Sequence, residues 1–127
     1  MQDKYLYEYA VIRVVPKVER EEFLNVGIIL YCSKQGFLKA KIQVNEERFK
    51  TFSCTIEMSE LQEYLSTWER ICKGGKEGGT IGIMPIASRF RWLTATRSTI
   101  VQTSKTHPGF CDNASETLEC LFQELVV

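Results

Sequence analysis

The residues best suited to chemistry or binding are concentrated between positions 89 and 110, in the stretch RFRWLTATRSTIVQTSKTHPGF. This stretch has no acidic residue, and it contains four basic side chains, seven hydroxyls, a glutamine and the sole histidine of the chain. Arginine presents a planar fork of N–H donors that suits a carboxylate or a phosphate. The pattern predicts an anion-binding site, and its candidate residues here are Arg89, Arg97, Ser98, Gln102 and His107.

Three polar residues near the N-terminus belong to the same hypothesis. Arg13 interrupts an apolar stretch with strand-like alternation, and a charge in such a place must be paired or must face a polar site. Glu22 and Asn25 stand at the start of the next apolar stretch and are candidates for the same polar network. We therefore expect Arg13, Glu22 and Asn25 to join the residues of 89–110 in one ligand-binding pocket at the edge of a sheet.

Two other interpretations of the arginines remain open at this point. They can pair with carboxylates of the same chain, such as Glu8 or Glu119, while Trp92 belongs to the core. They can also form a surface that contacts a partner protein.

The inventory of residues disfavours most catalytic sites. A single histidine and the lack of a C-x-x-C pair argue against zinc, so we expect no metal and no cofactor. His107 and Cys111 are separated by Pro108 and Gly109, which disfavours a helical Cys–His pair. Neither a P-loop nor a G-x-S-x-G elbow is present. No catalytic residue can be named.

Length and composition are those of a single globular domain spanning residues 1–127. The formal net charge of zero makes nucleic acid an improbable partner. No apolar run approaches the length of a membrane span, and the polar N-terminus lacks the apolar region of a secretion signal. Five scattered cysteines, an odd number, are then expected to be reduced thiols in a cytoplasmic protein.

Hydrophobic periodicity predicts the secondary structure. Period-two alternation indicates strands at 5–15, 23–32, 37–44 and 97–104, with Gly27 marking a bulge or a close backbone approach. Helical spacing indicates a helix at 57–72, whose apolar stripe contains Leu61, Tyr64, Leu65 and Trp68. A short helix after Asn45 and a final helix after Asn113 both begin at a residue suited to capping. Residues 84–93 fit either a helix or a strand.

Short connections between the first three strands favour antiparallel pairing. The predicted fold class is therefore α+β, with a mainly antiparallel sheet of about four strands covered by two or three helices.

Several segments resemble a bacterial family catalogued as domain of unknown function 3037. They are YAVIRVVP, EFLNVGIILYC with Glu22 and Asn25, RSTIVQTS, and the H-x-G formed by His107 and Gly109. The resemblance spans nearly the whole chain and implies no activity. It implies small cytoplasmic bacterial proteins, sometimes encoded near kinase-like proteins of the toxin type, and hence an accessory or binding role.

The sequence thus favours a small cytoplasmic binding or interaction domain with a basic, hydroxyl-rich polar pocket, which takes a partner protein or a small anionic ligand. The alternative is an enzyme that acts on a phosphorylated or nucleotide-like small molecule. Such an enzyme would need His107 or a carboxylate such as Glu22 inside the same cleft.

Overall fold

The computed structural model describes residues 5–15, 23–52, 57–95 and 100–127. Its strands are β1 (Tyr5–Val14), β2 (Leu24–Cys32), β3 (Phe37–Ile42), β4 (Val101–Thr103) and β5 (His107–Cys111). Its helices are α1 (Glu46–Phe52), α2 (Met58–Lys73), α3 (Gly79–Gly82, after a 3₁₀ turn at Lys76–Gly78), α4 (Ile86–Thr94) and α5 (Ala114–Leu125). The predicted α+β class is confirmed.

One antiparallel sheet organises these elements. The first three strands lie in the order β3, β2, β1. Strands β4 and β5 both pair with the other edge of β1. β4 pairs with the stretch from Ile12 to Val14, and β5 pairs with the stretch from Tyr5 to Tyr9. The fifth strand was not predicted, because Pro108 and Gly109 in its middle are depleted in strands.

The two faces of the sheet carry separate cores, because successive side chains of a strand point to opposite faces. Ile12 and Val14 of β1 pack in the core formed with α2 and α4. Val11 of β1 packs in the core formed with α5. Below, these are called the α2 face and the α5 face.

A β-bulge in β2 changes which of its side chains reach each face. Ile12 lies opposite Gly27, whereas the next residue, Arg13, lies opposite Asn25, so Val26 is the extra residue of β2. Val26 consequently packs in the core of the α2 face, and Asn25 faces the α5 side with Arg13. A Cβ atom at position 27 would stand 2.6 Å from the carbonyl oxygen of Lys41. The sequence-based interpretation of Gly27 is therefore confirmed.

The helices follow their predicted stripes with one exception. Leu61, Leu65 and Trp68 of α2 are buried on the α2 face, as expected. Tyr64 was placed on the same stripe, and this was wrong, since 49% of its surface is exposed. Residues 84–93 resolve largely into helix α4, because Phe90 and Leu93 are both buried at helical spacing.

The predicted helix caps are present. The Oδ1 atom of Asn45 accepts a hydrogen bond from the backbone N–H of Arg48 at 3.1 Å, and Asn113 does the same for Glu116 at 3.0 Å. The cysteines that the structure describes, Cys32, Cys72, Cys111 and Cys120, form no disulfide. No helix in the described part of the chain is long and apolar enough to cross a membrane.

Candidate functional site

Arg13 is the centre of the candidate site, and the sheet itself positions it. Its strand neighbours are Asn25 of β2 on one side and Gln102 of β4 on the other. Since residues in register point to the same face, all three side chains belong to the α5 face. The structure thus brings together three of the residues that the sequence predicted.

The guanidinium of Arg13 is incompletely satisfied. Its central carbon lies 4.1 Å from the centroid of the Phe23 ring, a cation–π distance. Its Nε atom is buried and has no hydrogen-bond partner among the described residues. An unpartnered buried donor costs about 1–3 kcal/mol, and more when it belongs to a charged group.

Asn25 has one satisfied and one unsatisfied end. Its Nδ2 atom donates to the carbonyl of Leu125 at 3.2 Å, which satisfies one of the carbonyls left open at the end of α5. This bond fixes the orientation of the amide, because the reversed amide would set two oxygens against each other. The Oδ1 atom is buried and accepts no hydrogen bond from the described residues. A donor and an acceptor are therefore left open on two directly paired residues.

A polar cavity of about 160 Å³ adjoins Asn25 at the end of α5. Its lining includes Gln43, Asn45 and Arg48 beside Asn25. Sequence reasoning missed these residues as site candidates. Asn45 was recognised only as a helix cap, and a chain position after β3 gives no sign that the start of α1 lines one cavity with the end of α5.

His107 stands on the same face of the sheet but not beside Arg13. It is exposed in β5 opposite Tyr9, and the two ring centroids are 5.3 Å apart. Tyr9 precedes Arg13 by four residues of an extended strand, a separation of about 13 Å. The predicted pocket therefore does not gather His107 and Arg13 into direct contact.

Arg89 is committed to the opposite side of the sheet. Its guanidinium donates to the carbonyls of Met84, Ile71 and Cys72 at 3.0, 2.9 and 2.8 Å. Two of these carbonyls belong to the last turn of α2, where the helix has no internal donors left. Arg89 thus ties α4 to the end of α2, and the structure does not bring it near Arg13.

Arg91 pairs with a carboxylate of the same chain, which is one of the alternatives left open by the sequence. It forms a bidentate ion pair with Glu8, with N–O distances of 2.9 and 2.6 Å. The hydrogen bonds to the Glu8 carboxylate raise the pKa of Arg91 above its ordinary value. Of the two carboxylates named from the sequence, Glu8 is its partner, whereas Glu119 binds Lys41 at 2.6 Å.

Several hydroxyls of the basic stretch bond to the main chain. Thr94 donates to the carbonyl of Phe90, and Thr103 donates to that of Thr94. The Ser104 hydroxyl donates to Lys105 and accepts from the N–H of Val11. Thr103 thus joins β4 to the end of α4, and Ser104 joins the end of β4 to β1. Glu22, Arg97 and Ser98, also predicted for the site, lie outside the described residues.

Comparison with known proteins identifies the family and confirms the resemblance found in the sequence. The family model described as "Protein of unknown function (DUF3037)" matches residues 9–126. This chain belongs to that family. The DUF3037 match includes Arg13, Asn25, Gln102 and His107, and the family description assigns no role to any of them. No curated protein and no solved structure matches the chain.

Proposed function

We propose that this protein is a binding domain that recognises an anionic group at Arg13 and Asn25. The observation that carries the proposal is the pair of open hydrogen-bonding atoms on these two residues, the Nε of Arg13 and the Oδ1 of Asn25. Both are buried in the described structure, where each open bond lowers stability. A ligand that supplies an acceptor to Arg13 and a donor to Asn25 removes both penalties.

The surroundings of Arg13 support an anionic ligand. The guanidinium offers planar, forked donors for a carboxylate or phosphate, and Gln102 flanks it on β4. Phe23 covers the guanidinium with a ring that is itself 48% exposed. Such a ring is free to turn aside, which gives a ligand access to Nε and leaves an apolar rim beside it.

A binding role fits the described residues better than catalysis. An enzyme acting on a phosphorylated or nucleotide-like molecule needs a general base within hydrogen-bond reach of the reacting group. His107 is about 13 Å along the sheet from Arg13, well beyond that reach. We therefore keep the enzyme as the second candidate, whose decisive residue would have to come from elsewhere in the chain.

The anionic group can belong to a small molecule or to a side chain of a partner protein. The first partner to test is a kinase-like protein, the kind of neighbour that the family resemblance suggests. Co-expression with a kinase-like protein of the toxin type should yield a complex with the wild type. Arg13→Gln should weaken that complex, and an undiminished complex would mean that the partner is bound elsewhere.

The direct test is a thermal unfolding series with inorganic phosphate, with and without a nucleoside triphosphate, against sodium chloride at equal ionic strength. A ligand that binds only the folded state raises the unfolding temperature, by an amount equivalent to about 2.7 kcal/mol at a hundred times its Kd. We expect the wild type to be stabilised by phosphate or by the nucleotide and the Arg13→Gln variant to lose this response.

Arg91→Gln is the matched control, because it removes the same charge from an arginine already paired with Glu8. Its response to phosphate and nucleotide should equal that of the wild type. An equal response of the Arg13→Gln variant, or none in the wild type, would refute the anion site.

A further inference from the structure

A second candidate site lies at the opposite edge of the sheet, between β3 and the end of α2. A cavity of about 330 Å³ opens there, and its lining includes Leu38, Ala40 and Cys72. β3 pairs with β2 and with no other strand of the described chain, so no strand covers its outer edge. This cavity and edge are called the β3 groove below. The groove is separate from the Arg13 site, and its binding of a ligand does not depend on that site.

The backbone of the β3 groove can pair with another strand. The N–H of Gln43 donates to the carbonyl of Val26 at 2.8 Å, which fixes the alternation along β3. In an antiparallel ladder the backbone groups of alternate residues point towards one neighbour. The odd-numbered residues of β3 therefore bond to β2, and the N–H and C=O of Leu38 and Ala40 point outwards.

Cys72 covers one of these two positions and leaves the other open. Its thiol accepts a hydrogen bond from the backbone N–H of Ala40, and burial raises the pKa of the thiol to about 12. Cys72 is thus a neutral, apolar part of the wall rather than a nucleophile at neutral pH. The outward N–H and C=O of Leu38 lie beside an apolar wall and make no hydrogen bond to the described residues.

Charge determines which segment fits the β3 groove. Lys39 and Lys73 are both exposed on its lining, against one acidic residue, Glu69. Lys41, the other lysine of β3, is already paired with Glu119. A net positive rim around an apolar wall favours a segment that carries a carboxylate beside an apolar side chain.

The same charges disfavour a second copy of this chain as the occupant. If β3 paired with β3 of another copy, Lys39 of each would lie close to lysines of the other strand. Like charges across paired strands destabilise the pairing. The occupant is therefore a different, acidic chain.

We propose that the β3 groove binds an extended segment of a partner protein. The segment adds a strand to the sheet at Leu38 and sets apolar side chains on the α2 face against Leu38, Ala40 and Cys72. The carboxylates that alternate with them lie on the α5 face beside Lys39, and Lys73 adds to the positive charge of the groove.

The test is a titration of ¹⁵N-labelled protein with an acetylated, amidated seven-residue peptide of alternating glutamate and valine. We expect saturable shifts of the backbone amide signals of Leu38, Lys39 and Lys73. A peptide with lysine in place of each glutamate should cause none. Shifts confined to other residues, equal shifts with the lysine peptide, or no saturable shifts at millimolar peptide would overturn the proposal.

Charge-reversal variants sharpen the result. Lys39→Glu combined with Lys73→Glu should weaken binding of the glutamate peptide by about tenfold or more, as expected when the net charge of the lining changes from positive to negative. Lys105→Glu combined with Lys76→Glu is the control, because it makes the same change of charge at exposed residues outside the lining. Equal loss of binding in both double variants would show that only the net charge of the protein matters. That result would refute specific binding in the β3 groove.

Two further measurements distinguish peptide binding in the β3 groove from binding at Arg13 and from self-association. Arg13→Gln should leave the peptide shifts unchanged, so failure at one site is distinguishable from failure at the other. Light scattering of the free protein should show a monomer at the titration concentration. A dimer whose dissociation constant changes in the Lys39→Glu variant would make a second copy the occupant and overturn our choice of an acidic partner.

Discussion

Arg89 and Arg13 are attached to opposite faces of one sheet, and their hydrogen bonding differs sharply. Arg89 gives hydrogen bonds to three carbonyls, two of them at the end of α2. Arg13 stacks on Phe23 and keeps a buried Nε without a partner among the described residues. An arginine within apolar sequence can therefore stabilise the fold, as Arg89 does, or keep a donor without a partner, as Arg13 does. The two cases differ in whether hydrogen-bond acceptors of the chain lie within reach of the guanidinium.

The largest expected effect tests whether the α2 face is a finished core. Leu65 is 2% exposed in the cluster around α2. Leu65→Ala should lower the free energy of unfolding by roughly 2–5 kcal/mol, since it removes buried methyl groups and leaves a cavity. Chemical denaturation of the two proteins measures this. An unchanged denaturation midpoint would mean that the apolar stripe of α2 is a docking surface rather than part of the core. The α2 face could then no longer be contrasted with the α5 face as a complete core.

The next effect tests Arg89 as a clamp. Arg89→Ala should destabilise the protein by roughly 2–4 kcal/mol, because three carbonyls lose a charged donor and two of them end a helix. Arg89→Lys should recover only part of this, since a lysine cannot reproduce the fork of donors. Addition of phosphate should not change the loss. A phosphate-dependent loss would instead make Arg89 part of an anion site.

A smaller effect is expected for the ion pair between Arg91 and Glu8. Both side chains are partly exposed, so solvent screens the pair despite its bidentate geometry. A double-mutant cycle with Arg91→Gln and Glu8→Gln should give a coupling energy of about 0.2–1 kcal/mol that declines in high salt. A coupling energy well above this range would place Arg91 with Arg89 among the main supports of the fold.

The smallest effect is expected at Arg13 itself. Arg13→Gln removes an unsatisfied charged donor together with its stacking on Phe23, two changes of opposite sign. The free energy of unfolding without ligand should therefore change by less than about 1 kcal/mol. A loss as large as that of Arg89→Ala would show that Arg13 is a clamp as well. Denaturant titrations in anion-free buffer provide the measurement.

The sequence predicted the parts of the fold that depend on local pattern. The stripe of α2, the caps at Asn45 and Asn113, and the irregularity at Gly27 all follow from residue spacing and type. β5 was missed because local propensity argues against Pro108 and Gly109, whereas pairing with β1 overrides it. Tertiary pairing of this kind leaves no periodic signal in a short segment.

The candidate site was predictable only in part, for a different reason. Arg13 and Asn25 stand out as polar residues within apolar strands, and the structure places them side by side. Arg89 has the same appearance in the sequence, but its partners are backbone carbonyls, which every residue possesses. A search for acidic partners cannot find such a clamp. Arg48 was missed because its place beside Asn25 depends on α1 lining the same cavity as the end of α5.

The extra residue at Val26 has a consequence for how this family can vary. Side chains of a strand alternate between the two faces of the sheet. The extra residue, Val26, interrupts this alternation between Asn25 and Gly27. The phase of Asn25 relative to Arg13 is therefore set inside β2, not by the number of residues that join the two strands. Relatives can lengthen or shorten the joining segment and keep the pair aligned, and deletion of Val26 alone would remove the bulge, leave Asn25 opposite Arg13 and take one apolar side chain from the core of the α2 face.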